Sequence, residues 1–309
     1  MTKAFLGIIG GSGVYDLPGV VGLEERRVGS PWGEPSDAIR TGHIGDTRVA
    51  FLPRHGRGHR FSPSDINYRA NIDVLKRIGV TDLVSVSAVG SLRDGLPPGT
   101  FVLVDQYVDR TVERARSFFG KGFVAHVSMA RPVSPRLADR IAAAGHAEGI
   151  ACRRGGTLVV IEGPQFSSEA ESRLHRDQGA DVVGMTAMPE AKLAREAEIA
   201  YATLAMVTDY DVWHPGHDAV DVGSVVRVLG ENRSRVQSLL SRLARDFPVE
   251  HEPCPDADHA LDGAVMTAPE ARDPVLVAKL DAVAGRILRG TAKSARVSAI
   301  VLVAGGDLS

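Results

Sequence analysis

Residues 48–91 read RVAFLPRHGRGHRFSPSDINYRANIDVLKRIGVTDLVSVSAVGS, and they hold the whole alternation on which the fold rests. The run Arg48–Leu52 is short and apolar, as a buried strand must be. A polar loop follows, and Ser62-Pro63 then offers a capping residue with proline at the first helical position. From there Ile66, Ala70, Val74 and Ile78 recur every four residues along one helical face, and Gly79 supplies a C-cap. Asp82–Val89 is a second buried strand. Strand, helix and strand in this order predict an α/β fold.

The pattern continues on both sides. Further strands are expected at Ala4–Ile9, Phe101–Asp105, Thr157–Ile161 and Ala202–Thr208, and Gly45-Asp46 reads as a hairpin turn. Ser134-Pro135 repeats the capping device, with Leu137, Ile141 and Gly149 completing a helix. Pro189 opens a helix to about Glu198, Asp221 to about Arg245 is the longest, and Pro274–Leu288 is a later one. The expected architecture is a single-domain, three-layer α/β fold whose mixed, largely parallel, twisted central sheet is flanked by helices. Residues 1–249 form the main domain. Residues 250–309 form a C-terminal extension packed on it, irregular through Glu250–Pro269 and helical at about 274–288. Its final apolar run, Val297–Ala304, reads as either a late strand or a loose tail.

Composition excludes several classes of partner. The 309 residues are 44% hydrophobic and 24% charged, enough for a sizeable core. Lys plus Arg number 36 against 38 for Asp plus Glu, leaving a net charge of -2, so neither nucleic acid nor an anionic membrane is expected. The two cysteines, Cys152 and Cys254, stand in no C-x-x-C pair, which excludes a zinc knuckle and a disulfide scaffold. The N-terminus MTKAFLGIIGGSG lacks the features of a signal peptide, and no run approaches the roughly 20 apolar residues of a membrane span. The expected location is the cytoplasm.

Familiar signatures fail. There is no Walker A lysine loop and no G-x-S-x-G elbow, and GGSGVYD lacks the G-x-G-x-x-G spacing. GKGFVA at 120–125 matches the looser form without a strand before it, a chance match.

What remains is a series of polar clusters, each at the end of an expected strand. Gly10-Gly11-Ser12-Gly13 suits an anion, or is a plain tight turn. In the loop after Leu52, Arg54, His55, Arg57, His59 and Arg60 concentrate positive charge, for one small anion or as a solvated basic loop. The small residues Ser87-Ala88-Val89-Gly90 end a strand where open α/β sheets bind ligands, and they equally suit a strand exit. Phe166 is able to stack on a flat heterocycle or to fill the core, and Ser168 to cap a helix. Asp209 and Asp211 follow an apolar strand; if the chain is still extended their carboxylates point the same way, and burial would raise a pKa for proton donation. Otherwise they are cap or loop residues. With His214 and His217 they also suit a divalent metal, a rival reading that leaves the basic loop unexplained.

Taken together, IIGGSG, PRHGRGHRFSPSDINYRANI, SAVGSLRDGLPPGTFVLVDQYVDRT, IEGPQFSSEAES, ADVVGMTAMPEAKLAREA and MVTDYDVWH resemble the trimeric purine nucleoside phosphorylase family, in family order from residue 8 to about 214. The resemblance implies that phosphate, a co-substrate, attacks C1′ of a nucleoside, with no metal or organic cofactor. It implies a phosphate site of Ser12, Arg54, His55, Ser87, Ala88 through its backbone, and Thr186. Phe166 and Ser167 would lie at the base, and Met185 against the sugar and its 5′ substituent. Asp209 and Asp211 would face the purine N7 and 6-amino edge, with Val222, Val225 and Val226 lining an apolar 5′ pocket. His126 would reach the active site of a neighbouring subunit in a homotrimer.

Asp209, Asp211 and His55 are then the expected catalytic residues. An acid at N7 removes negative charge from the leaving purine, a step worth on the order of 10²–10⁴ in rate. A carboxylate accepts from a 6-amino group, whereas a 6-oxo group needs a donor. Adenine with an apolar 5′-methylthio group is therefore the expected substrate half. The alternatives are a 6-oxopurine or methylthioinosine phosphorylase, a metal-dependent phosphoesterase and a non-catalytic nucleoside-binding module.

Overall fold

The computed structural model describes residues 2–11, 17–215 and 221–289. Its strands are β1 (Phe5–Gly10), β2 (Val21–Arg26), β3 (Ile39–Ile44), β4 (Thr47–Pro53), β5 (Asp82–Ser91), β6 (Phe101–Val104), β7 (Gln106–Asp109), β8 (Cys152–Arg154), β9 (Thr157–Val160), β10 (Val182–Gly184) and β11 (Ala200–Asp209). The helices are α1 (Tyr68–Ile78), α2 (Pro135–Ala147), α3 (Glu169–Asp177), α4 (Ala187–Glu196) and α5 (Val222–Arg245), with the short α6 (Pro255–Asp258) and α7 (Pro274–Lys279). All six expected strands form. Gly45-Asp46 turns β3 into β4, with Ile44 opposite Thr47 and Gly45 at φ 58°.

One sheet takes in all eleven strands, in the order β2-β3-β4-β1-β5-β10-β9-β7, with β11 joining β5 to β6 and β6 pairing β8. Pairings of β1 with β4 and β5, and of β5 with β11, are parallel, whereas β10 runs antiparallel to β5. The sheet is therefore mixed and largely parallel. Successive strand residues point to opposite faces. Ile9, Leu52, Leu83 and Val207 enter one core with Ile72, Leu75 and Leu193 of α1 and α4. Ile8, Phe51, Val84 and Met206 enter the other with Leu137, Ile141, Leu239 and Leu243 of α2 and α5. Burial on both faces is why these strands read as unbroken apolar runs.

Two expectations are corrected, and a third, that Pro189 opens a helix, holds. Ser62 does not cap α1, because its hydroxyl bonds Asp65 in a turn at 2.6 Å. Asn67 caps the helix instead, its Oδ1 accepting from the Ala70 N–H while its Nδ2 donates to the Trp32 carbonyl. The helix expected at 274–288 is broken: α7 ends at Lys279, and the chain turns before residues 285–289 become helical. That turn seats Leu280, Val283 and Ala284 in the core, and burying them outweighs continuing the helix. Met188 has non-helical angles, so the regular part of α4 starts at Pro189.

Beyond residue 249 the chain crosses the amino ends of the central strands. His251 donates from its backbone to the Thr2 carbonyl and bridges Asp82 and Asp258 with its ring. Arg286 grips Glu198 with two hydrogen bonds of 2.8 and 2.6 Å. Farther along, Val265 pairs with Ala125, and the His126 N–H reaches the Ala264 carbonyl. Val297–Ala304 lies outside the described residues. No described helix is long and apolar enough to cross a membrane.

Candidate active site

The sheet topology leaves a notch at the carboxyl end of β5. Along one edge β1 pairs with β5 only as far as Val86, and β10 takes up that edge again at Gly90. Between them, Ser87–Val89 face neither strand on this edge, and although β11 pairs their other edge, the backbone groups that point to the open side are available to a ligand. Ala88 is the only residue of β5 that is not fully buried. Such a break at strand carboxyl ends is where open α/β sheets bind ligands.

Residues from four elements converge there. Thr186 comes before α4 and makes no side-chain cap bond; its hydroxyl instead lies 3.3 Å from that of Ser87. The Arg54 backbone N–H donates to the Gly10 carbonyl, which fixes the loop after β4 beside the end of β1. Ser12 lies outside the described residues.

The guanidinium of Arg54 is buried and committed. Nε and Nη2 donate to the two Glu190 carboxylate oxygens at 2.7 and 3.0 Å. Nη1 donates to the Val86 carbonyl and Nη2 to Ser85 Oγ. Burial opposes its charge, but Glu190 more than offsets this and raises its pKa, as in a fork-to-fork pair. Beside it, His55 Nδ1 donates to the Phe61 carbonyl at 2.9 Å, leaving Nε2 as the free ring nitrogen. Burial pulls His55 down to about 4, so the ring is neutral at pH 7.

The basic loop is not aimed at one anion as a whole, which corrects that expectation. Arg57 turns outward to Asp37 and Glu25, and Arg60 donates to the Ser36 carbonyl. His59 stacks on His55 with ring centres 4.1 Å apart. Only Arg54 and His55 face inward. Carboxylates distant in sequence, Glu25 and Asp37, pair with Arg57, and Asp37 also stands 4.0 Å from Arg60.

Asp209 ends β11 opposite Gly90, where a β-carbon would meet Asp209 Oδ1 at 2.8 Å. Glycine lets the carboxylate lie against the β5 backbone. The Asp209 and Asp211 side chains do not follow an extended chain, because Asp211 has φ 51° and its N–H donates back to Asp209 Oδ1 at 2.8 Å. Burial raises both pKa values, and for Asp211 the neighbouring Asp209 carboxylate adds to the rise. Asp211 Oδ2 and the hydroxyls of Ser167 and Ser172 are buried and make no hydrogen bond of standard geometry, yet the two hydroxyls lie close enough to the carboxylate to hold back the rise of its pKa. These two serines are neighbours of Asp211.

Ser168 caps α3 through a capping box with Glu171, as expected, and this fixes the loop holding Phe166 and Ser167. Phe166 is half-exposed at 40%, not core. Met185 lies against that loop: a β-carbon on Gly163 would sit 2.6 Å from its Sδ. Val222, Val225 and Val226 share one face of the first turns of α5, where Val222 and Val226 are exposed.

Other expected groupings are not assembled within the chain. His126 is exposed and borders two cavities of about 400 and 600 Å³, whose linings contain no other predicted site residue. His214 stacks on Tyr210 and approaches Asp94, and His217 lies outside the described residues. Among the described residues no group of three or more His, Cys, Asp or Glu could hold a metal ion. Sequence reasoning gave no role to Glu190 or Arg114, and read Gly90 only as the glycine of a strand end.

Residues 5–245 match the model of the phosphorylase superfamily. An S-methyl-5′-thioadenosine phosphorylase of Bradyrhizobium diazoefficiens is 66% identical over 94% of this chain and 100% of its own. One from Cereibacter sphaeroides is 55% identical over 93% and 100%. Among solved structures, a methylthioadenosine phosphorylase from an antarctic soil metagenomic library superposes with a TM-score of 0.86 at 45% identity, covering 92% of this chain and 99% of its own. A methylthioadenosine phosphorylase of Schistosoma mansoni in complex with adenine superposes with a TM-score of 0.74 at 37% identity, over 78% and 91%.

Proposed function

The chain belongs to the phosphorylase superfamily, and we propose that it catalyses phosphorolysis of 5′-methylthioadenosine to adenine and 5-methylthioribose 1-phosphate. The observation that carries this reading is the paired buried carboxylates of Asp209 and Asp211 beside an open strand edge. The naming of its relatives points the same way.

Phosphate sits in the notch, against the Ser87 and Ala88 backbone and the hydroxyls of Ser87 and Thr186. Arg54, held by Glu190, and His55 form its inner wall. Phosphate oxygen attacks C1′ as the bond to N9 breaks, through a sugar of oxocarbenium character. The purine stacks near Phe166, with Ser167 beside it and Met185 against the sugar. The electron pair of the breaking bond flows into the purine, and a proton held between Asp209, Asp211 and the base neutralises it at N7. No metal or organic cofactor takes part; phosphate is a co-substrate.

His126 lies away from these groups, and in our reading it completes the site of a second copy in a homotrimer, with the apolar face of Val222, Val225 and Val226 closing around the methylthio group. The working location is the cytoplasm. A nucleoside panel tests the substrate: kcat/KM for 5′-methylthioadenosine should exceed that for methylthioinosine and inosine. Adenosine should trail by roughly 10²-fold, the discrimination an apolar pocket exerts against an added hydroxyl. Preference for a 6-oxo nucleoside would replace the substrate with a 6-oxopurine one.

A further inference from the structure

We propose that Arg114 is a positioning residue that aligns the phosphate side and the base side of the site together. Its side chain is fully buried. Nη1 donates to the carbonyls of Met185 and Met188, both at 2.6 Å, and Nη2 donates to the Glu162 carbonyl at 2.6 Å. Nε donates to Ser64 Oγ at 3.2 Å, and the Tyr68 hydroxyl lies 3.2 Å from Nη1. Glu162 Oε1 stands 3.4 Å from Nε.

The Met185 and Met188 carbonyls bracket Thr186. Holding them sets where the Thr186 hydroxyl points, in a stretch with no regular helical bonds of its own to do so. The Glu162 carbonyl opens the loop 163–167 that carries Phe166 and Ser167. The two segments touch where Gly163 meets Met185 Sδ, so one planar fork spans both. A buried cation is costly unless it is hydrogen-bonded, and here most of its bonds go to backbone carbonyls of these site segments. Lysine, a single point of charge, cannot hold both.

This inference rests on the phosphorolysis reading. It is tested with Arg114→Lys, Thr186→Ala and the double variant, measuring KM for phosphate, kcat and thermal unfolding. Arg114→Lys should raise the phosphate KM about tenfold, the scale of one charge-assisted hydrogen bond, and lower kcat while remaining folded. In the Thr186→Ala background the same change should add no more than about twofold, since coupled sites are not additive. Full additivity, or an unchanged phosphate KM in folded Arg114→Lys, would overturn the proposal. Should Arg114→Lys fail to fold, Ser64→Ala, which removes one acceptor, should raise the phosphate KM about threefold; no rise would overturn it. If the unaltered enzyme shows no phosphate-dependent turnover, the reaction falls separately. Arg114 is then judged by calorimetry with inorganic phosphate and with adenine, where Arg114→Lys should weaken both and retention of either affinity counts against it.

Discussion

In the proposed reaction, Asp209 carries the base specificity in a single functional group. Its carboxylate lies against Gly90 and is held by the Thr208 hydroxyl and the Asp211 N–H, at 2.7 and 2.8 Å. Burial raises its pKa, so it keeps a proton to higher pH than an exposed aspartate does. Asp209→Asn keeps the shape and changes what the side chain can accept. The ratio of methylthioinosine to 5′-methylthioadenosine turnover should rise by about 10² or more, because a site built to pair one group rejects its mismatch strongly. Steady-state kinetics on both nucleosides measure it; an unchanged ratio would remove Asp209 from reading the base. The Asp pair was legible in sequence because charge stands directly after an apolar strand. Gly90 was legible only as a strand-end glycine, since the room it leaves is for a carboxylate 119 residues away in the chain (90 to 209). Arg114 hides in the run Arg110–Arg116, where sequence cannot tell a buried guanidinium from solvated ones. Arg57 was misread for the same reason: its partners Glu25 and Asp37 lie far upstream.

Among the elements, the strands that sequence reasoning found are those buried on both faces. It missed β2, exposed throughout, β7, part-exposed along its length, and β8 and β10, only three residues each, because none carries an apolar period. Of the segment after residue 249, sequence showed a helix near 274–288 but not how the segment attaches, because charge pairs act there together with the buried Leu261, Leu280, Val283 and Ala284. His251 is one of its clasps: its ring spans Asp82 at the start of β5 and Asp258 on α6, at 3.2 and 3.0 Å. Hydrogen bonds first to Asp258 and then to Asp82 raise its pKa from 6.5 to about 9. A pKa raised by folding contributes stability fully below the unfolded value of 6.5, and the contribution is lost as pH climbs to about 9. The unfolding temperature should therefore fall across that window, and His251→Gln should flatten the fall. Equal slopes for both proteins would exclude the clasp from pH-dependent stability.

At the scale of the whole molecule, chemistry and attachment occupy opposite ends of one sheet. The carboxyl ends of β1, β4, β5 and β11 carry Arg54, His55, Ser87, Ala88 and Asp209, while His251 and Arg286 fasten the last segment across the amino ends. The alternation between residues 48 and 91 foretold the α/β layers, because period and capping are local signals. The notch did not show in sequence: it arises where β10, about 90 residues later, replaces β1 along the edge of β5. The central claim is that this notch holds the nucleophile, and it is tested by following 5′-methylthioadenosine cleavage with and without inorganic phosphate, with ³¹P NMR on the products. Adenine should appear only when phosphate is present, matched mole for mole by a sugar 1-phosphate. Adenine release at the same rate without phosphate, giving free methylthioribose, would contradict it.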